Sequence, residues 1–171
     1  MPKIYVGVDP GVTGAVAFLQ DGDTRIADIP VLTVPNGNRK ETMIDARELA
    51  SMIQNTILSM NHDYQLIPNK YEIIVVLEKT QPMKDSAMTA FSMGQTRGII
   101  IAVAALMEIP IINVTPQKWK KHFGLLNCEK DASRTLAMER FPLLRDQLRR
   151  KKDHDRAEAV LIALYGKELN L

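Results

Sequence analysis

The fold is decided by the stretch Ile4-Tyr5-Val6-Gly7-Val8-Asp9-Pro10-Gly11-Val12-Thr13-Gly14. Its first residues are mostly apolar and β-branched, which predicts a buried strand that ends at Asp9. The proline and glycines that follow are typical of a turn. A second apolar run, residues 73–77, ends in the same way at Glu78. We therefore expect two strands that present a carboxylate each at a common edge of the core.

Two further carboxylates, Asp155 and Glu158, open the last helical pattern of the chain. A spacing of three residues places both side chains on one helix face. Clustered carboxylates raise each other's pKa, and a divalent cation removes that cost. Oxygen ligands suit Mg²⁺ or Mn²⁺, and two such ions can clamp a scissile phosphate. The four acids together indicate a metal-dependent phosphodiesterase.

The composition limits the class of protein. A length of 171 residues with 46% hydrophobic residues predicts a single domain, residues 1–171, around one core. The single cysteine, Cys128, excludes an internal disulfide, and with three scattered histidines it argues against a zinc site. The sequence shows no signal peptide pattern, and its longest apolar stretch is too short to cross a bilayer. We expect a cytoplasmic protein without a membrane segment.

The small net charge of +2 hides an uneven distribution. Residues 116–152 contain eleven lysines and arginines but four acidic residues, whereas acidic residues are in excess elsewhere. A basic segment beside an acidic metal site is typical of a protein that binds a phosphate backbone. A solvated helical face is the plainer interpretation of such a charge run, and the neighbouring acidic cluster favours the first.

The periodicity of the chain predicts five strands and five helices. The first nine elements have the order βββαβαβαα, and the fifth helix follows them. The predicted strands are residues 3–9, 15–19, 24–30, 71–78 and 110–114. The predicted helices are residues 45–60, 89–107, 118–123, 129–141 and 153–169. Residues 35–38 are predicted to be a loop, and residues 144–152 a basic helix or arm. This order indicates an α/β protein with a mixed central sheet flanked by helices.

Several segments, in order along nearly the whole chain, resemble one known family. They are residues 7–14, Leu77-Glu78-Lys79, residues 85–87 and 93–98, Thr115-Pro116-Gln117-Lys118-Trp119-Lys120-Lys121, Cys128-Glu129-Lys130 and residues 155–163. They resemble the RuvC-type Holliday junction resolvases of the ribonuclease H-like superfamily. Details around Glu78 and residues 156–159 look closer to the phage-encoded branch than to the bacterial one.

The resemblance implies a ribonuclease H-like fold and a structure-selective endonuclease that resolves four-way DNA junctions through symmetric paired nicks. The catalytic and metal-binding residues would be Asp9, Glu78, Asp155 and Glu158, holding two Mg²⁺ ions for which Mn²⁺ substitutes. A homodimer would match the two-fold symmetry of the junction, with the long helix 89–107 as the candidate dimer surface. The location would be the cytoplasm, that of the host if the protein is phage-encoded.

The chain also departs from the family pattern. Glu158 stands where bacterial members usually carry aspartate, and Asp153 is an alternative to Asp155 as the third ligand. His154 is a candidate for proton transfer or metal binding. The aromatic residue that bacterial members place shortly after the second acid is missing from residues 79–83. A broader nuclease that cuts forks and flaps is therefore an alternative function.

A different class is suggested by Asp9-Pro10-Gly11-Val12-Thr13, which also resembles the first phosphate loop of actin-like ATPases and sugar kinases. Those proteins enclose a nucleotide between two such domains, for which 171 residues leave no room. That alternative also gives Glu78 no role.

Lysines supply the candidate DNA contacts. Lys79, Lys118, Lys121 and Lys130 are predicted to bind backbone phosphates. Trp119, the single tryptophan, has two interpretations: stacking on a base, or anchoring its helix in the core, which is the more common role.

Overall fold

The computed structural model describes residues 3–37, 39–60, 72–79, 87–129 and 131–171. Its strands are β1 (Lys3–Asp9), β2 (Ala15–Gln20), β3 (Asp23–Asp28), β4 (Val31–Asn36), β5 (Arg39–Ile44), β6 (Glu72–Glu78) and β7 (Ile111–Val114). Its helices are α1 (Ala46–Met60), α2 (Ala87–Leu106), α3 (Pro116–His122), α4 (Ala132–Arg140) and α5 (His154–Glu168). Short 3-10 helices at Pro142–Leu148 and Lys151–Asp153 connect α4 to α5.

Five strands form one sheet in the order β3-β2-β1-β6-β7. Strand β1 runs parallel to β6, and β6 runs parallel to β7, while β2 is antiparallel to both of its neighbours. This mixed sheet with flanking helices confirms the predicted α/β class with a mixed central sheet. The three parallel strands end at one edge of the sheet, where their carboxyl ends lie side by side.

Helix α5 packs directly on β1 and β2 because the strand and the helix carry small residues where they meet. A Cβ atom added to Gly7 would lie 2.2 Å from the carbonyl oxygen of Ala159. The backbones of β1 and α5 therefore touch, and no side chain fits between them. On the helix side, Gly166 makes a similar close approach to the side chain of Val76.

The opposite face of the sheet is covered by α1 and α2. Leu49 and Ile53 of α1 and Ile100 and Val103 of α2 are buried in a second apolar cluster against this face. Burial on both faces explains why the central strands read as nearly continuous apolar runs. Each of the two helix layers is thus fixed to the same five-stranded sheet.

The sequence prediction missed a hairpin. Strands β4 and β5 pair with each other in a separate two-stranded sheet, with Val34 opposite Glu41. The prediction of a loop over residues 35–38 is wrong for Pro35 and Asn36, which belong to β4, and residue 38 lies outside the described residues. The strand pattern escaped detection because Pro35 is unusual in a strand and residues 39–42 are mostly charged or polar.

The basic segment 144–152 is neither one helix nor an extended arm. It forms the two 3-10 helices, and Leu144 and Leu148 are buried between them and the rest of the protein. Pro142 starts the first of these helices, and Arg150 departs from helical geometry with φ −88° and ψ 148°. The basic side chains of this segment consequently lie on a compact connection directly before α5.

Helix α2 is long and apolar enough to cross a membrane by length and composition alone. Only 22% of its most apolar 18-residue window is buried. Within the helix, Arg97 donates a hydrogen bond of 2.8 Å to the carbonyl oxygen of Glu78, and Ile100 and Val103 pack against the sheet. These contacts join one face of α2 to the sheet and to the end of β6, and the other face is apolar and exposed.

Candidate active site

Two of the predicted acids lie at the ends of adjacent parallel strands. The register places Val8 opposite Leu77, so Asp9 and Glu78 follow at the same level of β1 and β6. The turn after Asp9 is closed by a hydrogen bond of 3.1 Å from the Gly14 amide to the Gly11 carbonyl. A side chain at Gly14 would collide with the Asp9 carbonyl, at 2.2 Å, so this turn requires a glycine.

The other two acids reach the same edge through α5. The close approach of Gly7 to Ala159 fixes the first turns of the helix beside the end of β1. Asp155 and Glu158 lie on these turns, and their side chains are 17% and 16% exposed. The structure therefore brings all four predicted acids to one edge of the sheet.

The pKa values of the buried acids reflect this clustering. Burial raises the pKa of Asp9 well above its usual range, and the charges of Glu78, Asp155 and Glu158 raise it further. Burial also raises the pKa of Glu78, with an added contribution from Glu158. A positive charge on Lys120 acts in the opposite direction on both groups. The site thus concentrates negative charge that a bound cation would stabilise.

Asp9, Asp155 and Glu158 line a cavity of about 420 Å³. Its other walls come from α3, the segment before α4, α4 itself and the first residue of α5. They include Lys120, Leu125, Asn127, Cys128, Glu129, Ala132, Ser133 and His154. The volume admits a phosphate group with its surrounding water. Glu78, which is 9% exposed, is not among the described residues that line this cavity.

Two of the acids that line the cavity, Glu158 and Asp155, have hydrogen-bonding neighbours. Lys120 Nζ lies 3.0 Å from Glu158 Oε1, and the hydroxyl of Ser133 donates to the same oxygen at 3.2 Å. His154 Nε2 lies 2.7 Å from Asp155 Oδ1. These partners hold the carboxylates in defined orientations around the cavity.

Trp119 contacts the remaining acid. Its indole nitrogen Nε1 donates a hydrogen bond of 2.7 Å to Glu78 Oε2. The tryptophan side chain is fully buried in the core beneath α3. The proposal that Trp119 stacks on a DNA base does not fit this position, and its role as an anchor of the helix does.

The structure separates the two candidates for the third ligand. Asp153 is buried at the last 3-10 turn, where its carboxylate accepts hydrogen bonds from the backbone amide and the guanidinium of Arg150, at 2.8 Å each. Those hydrogen bonds lower the pKa of Asp153. Asp155, in contrast, lines the cavity beside Asp9. Asp153 therefore closes the turn that precedes α5, and Asp155 faces the cavity.

An ion pair also joins α5 to the sheet. Arg156 forms a bidentate pair with Asp28 at the end of β3, with distances of 2.5 and 2.6 Å. This pair lowers the pKa of Asp28. Because Arg156 lies between the two acids of α5, the pair also sets the rotation of the helix that presents them.

The four carboxylates do not yet form a coordination sphere. In the part of the chain that the structure describes, no three His, Cys, Asp or Glu side chains converge as a ready set of metal ligands. The donor set still fits a hard divalent cation, because it consists of carboxylate oxygens around an unneutralised charge.

Three of the four lysines that were predicted to bind DNA are exposed, and the fourth is not described. Lys79, Lys118 and Lys121 are exposed, and Lys130 lies outside the described residues. The cationic side chain that reaches the acids is Lys120, which the sequence analysis did not select. No local signal separates Lys120 from Lys118, because both flank the buried Trp119 and only Lys118 is exposed.

No protein-family model matches the chain. It is 33% identical over 83 residues to the chloroplastic Holliday junction resolvase MOC1 of Chlamydomonas reinhardtii, a match that covers 48% of this chain and 9% of that protein. It is 28% identical over 118 residues to the crossover junction endodeoxyribonuclease RuvC of Carboxydothermus hydrogenoformans, covering 67% of this chain and 66% of that one. Both matches span less than two thirds of the relative's length.

A solved structure, that of RuvC from Thermus thermophilus, aligns with 98% of this chain and 96% of its own at a TM-score of 0.48 and 16% identity. The two sequence relatives are both junction resolvases by name, which confirms the resemblance drawn from the motifs.

Proposed function

We propose that this chain, a homologue of the RuvC-type Holliday junction resolvases, is an endonuclease that resolves four-way DNA junctions. The observation that carries the proposal is the assembly of Asp9, Glu78, Asp155 and Glu158 at one sheet edge, where three of them line a cavity that admits a phosphate. Hydrolysis of a phosphodiester is the chemistry that such a set of oxygen ligands supports. The names of both sequence relatives agree with this function.

The cofactor of the proposed reaction is Mg²⁺, with two ions per active site and Mn²⁺ as a substitute. The ligands would be Asp9, Glu78, Asp155 and Glu158. Bound there, the two ions would supply Lewis-acid activation of a water molecule and stabilisation of the leaving 3′ oxygen. The products would carry 5′ phosphates that a ligase can rejoin.

The protein residues around the cavity have distinct proposed roles. The acids bind the cofactor and fix its position relative to the scissile phosphate. Lys120, which lies 3.0 Å from Glu158, would compensate charge on the phosphate once the acids are occupied. His154, which contacts Asp155 at 2.7 Å, would orient that carboxylate.

The DNA would approach across the basic surface beside the cavity. Lys118 and Lys121 of α3 and Lys79 at the end of β6 are exposed near this edge, and the connection before α5 adds Lys151 and Lys152. Contacts of this kind neutralise backbone phosphates without reading sequence. Lys130 is proposed for the same surface from its position in the family motif.

A homodimer is proposed because a four-way junction has two-fold symmetry and requires two cuts. The outer face of α2 supplies a candidate surface. Met88, Phe91 and Leu106 on this helix are 75%, 67% and 86% exposed. Large apolar side chains in such number on one helix are typical of a surface that another chain covers. We place the dimer in the cytoplasm, that of a host cell if the gene is of phage origin.

The decisive experiment compares cleavage of a synthetic four-way junction with that of a fork, a flap and a linear duplex in Mg²⁺. Asp9→Asn serves as the inactive control, and Lys167→Ala, at a surface lysine paired with Asp21, serves as the active one. Paired symmetric nicks confined to the junction would support a resolvase. Binding of the junction without any cutting would refute it.

Equal cutting of forks and flaps would instead establish a broad branched-DNA nuclease. This second function is favoured by residues 79–86, Lys-Thr-Gln-Pro-Met-Lys-Asp-Ser, which contain no aromatic side chain that could stack on a base.

A further inference from the structure

The Glu78 carboxylate accepts a hydrogen bond from the indole of Trp119. It closes β6, it is 9% exposed, and its Oε2 accepts the hydrogen bond of 2.7 Å from Trp119 Nε1. A hydrogen bond from a neutral donor to a carboxylate is stronger than one between neutral groups, and burial strengthens it further. This contact therefore restricts the rotation of the one carboxylate that does not line the cavity.

The fold places the indole there by a short route. Strand β7 runs parallel to β6 with Val114 opposite Glu78, and Thr115 and Pro116 then turn the chain directly into α3. Proline at the first helical position fixes the start of the helix. Trp119 lies one turn further on, so its ring returns over the end of β7 towards the end of β6.

Successive residues of α3 contact two different acids. Trp119 donates to Glu78, and Lys120 forms the ion pair with Glu158. A rigid, fully buried ring and a half-buried flexible chain thus act on the acids in different ways. The ring cannot move without disturbing the core, whereas the lysine can withdraw.

We propose that Trp119 is a positioning residue that fixes Glu78 Oε2, so that the other oxygen, Oε1, is the one presented to a divalent metal ion. This inference rests on the proposed function, since it specifies how one of the four acids becomes a ligand. The indole N–H is a donor only, which means that it can hold a carboxylate oxygen but cannot compete for the metal. Outer contacts of this type typically tune metal affinity by about 10- to 100-fold.

The first test observes the hydrogen bond directly and does not depend on activity. Trp119 is the single tryptophan, so the ¹⁵N-labelled protein gives one indole N–H resonance. We expect a downfield proton shift that moves upfield in Glu78→Gln, and a further change when Mg²⁺ is added to the wild type. An indole resonance that is insensitive both to Glu78→Gln and to Mg²⁺ would overturn the proposal.

The second test separates positioning from packing. Trp119 is replaced by benzothienylalanine, which preserves the ring shape and lacks the N–H, and by phenylalanine. Leu144→Ala, in the same core cluster but without contact to the acids, is the matched control for lost packing. Calorimetric Mg²⁺ titration and single-turnover junction cleavage are measured for each protein, with junction affinity measured in Ca²⁺.

We expect both Trp119 substitutions to weaken Mg²⁺ binding by roughly tenfold or more. Cleavage should be slow at low Mg²⁺ and recover at high Mg²⁺, with junction affinity unchanged. Leu144→Ala should lower the melting temperature and leave the Mg²⁺ affinity intact. Unchanged Mg²⁺ affinity in the benzothienylalanine protein would reduce Trp119 to a core anchor and overturn the proposal.

The proposed function and the proposed role of Trp119 can be refuted independently. If the wild type binds Mg²⁺ but cuts no junction, the proposed function falls, while the calorimetric and indole measurements still decide the role of Trp119. If the wild type cuts junctions and the benzothienylalanine protein matches it at every Mg²⁺ concentration, only the positioning role falls.

Discussion

Lys120 Nζ lies 3.0 Å from Glu158 Oε1, at the wall of the cavity that Asp9 and Asp155 also line. Its charge lowers the pKa of Asp9 and of Glu78 as well. One lysine thus pairs with one acid and favours the ionised form of two others. It does so from a side chain that is 31% exposed and can therefore move when the acids acquire a cation.

The first prediction concerns this lysine. Lys120→Met should lower the rate of junction cleavage by roughly 10²-fold, because a positive charge is lost where the phosphate would acquire negative charge. Single-turnover cleavage at saturating enzyme measures the effect. Lys118→Met removes the same charge from the exposed side of α3, and we expect it to weaken junction binding with little effect on the rate. Equal effects of the two substitutions on the rate would contradict the assignment.

The second prediction is that a substitution that removes activity, Asp9→Asn, makes the folded protein more stable. The pKa of Asp9 is raised in the folded protein, so ionised Asp9 weakens folding. This cost is absent below the carboxyl's unfolded pKa, about 3.9, and is complete above its raised folded value. Asp9→Asn should therefore raise the melting temperature at pH 7 without metal, by about 2–4 °C for each kcal/mol gained, and the difference should vanish near pH 3.

Thermal unfolding with and without Mg²⁺ checks this prediction. Mg²⁺ should stabilise the wild type, because it binds the folded state alone, and should stabilise Asp9→Asn much less. A lower melting temperature for Asp9→Asn at pH 7 in EDTA would show that the negative charge at the cavity is not a cost to folding.

The third prediction tests the contact between β1 and α5. Gly7→Ala would place a Cβ 2.2 Å from the Ala159 carbonyl and should destabilise the protein by roughly 1–3 kcal/mol or more, since backbone must shift. Because α5 carries two of the acids, cleavage should fall even where the protein remains folded. Chemical denaturation and cleavage measure the two effects.

A matched glycine provides the control. Gly94 lies within α2, and a Cβ added there would meet nothing within 4 Å. Gly94→Ala should be neutral or stabilising by about 0.5–1 kcal/mol, as is usual in a helix interior. Comparable losses at both glycines would mean that the close packing of α5 on β1 is not what stabilises the fold.

The fourth prediction separates two neighbouring aspartates. Asp153→Asn should destabilise the protein by about 1–3 kcal/mol, because it weakens buried hydrogen bonds with Arg150, and should retain Mg²⁺ affinity. Asp155→Asn should do the reverse. The pKa of Asp153 is lowered on folding, so its contribution should be complete above its unfolded pKa and disappear as the pH falls towards its folded value. Calorimetry with Mg²⁺ and denaturation at several pH values distinguish the two roles.

The fifth prediction concerns the apolar face of α2. Phe91→Glu should convert a dimer to a monomer, because it buries a charge at the proposed interface. Light scattering coupled to gel filtration measures the mass. Leu143→Glu alters an apolar residue that is even more exposed, at 94%, on the connection before α5, and should leave the mass unchanged. A wild type that is monomeric at high concentration would remove the basis for the dimer.

The sequence predicted the sheet and its acidic edge because the relevant signals are local. Asp9 and Glu78 each close an apolar run, and parallel pairing alone then places them side by side. The spacing of Asp155 and Glu158 is likewise a property of one helix. Metal binding by these four residues stays a prediction, which the titrations above address.

Other features depend on contacts that no local pattern encodes. The choice between Asp153 and Asp155 needed the position of Arg150, which holds the first of them away from the cavity. To select Lys120 over Lys118 and Lys121, one must know which side of α3 lies against the acids. The β4–β5 hairpin was missed because the composition of the two segments is not typical of strands. They are strands because they pair with each other.

The packing of α5 on β1 also has a consequence for the order of synthesis. The helix that completes the acidic edge comes from residues 154–168, whereas the strand that it covers is made first. During translation, the exposed lysines of α3 therefore emerge before Asp155 and Glu158. Until these residues are made, the nascent chain holds only two of its four acids, and the acidic edge is complete only once α5 has packed on β1.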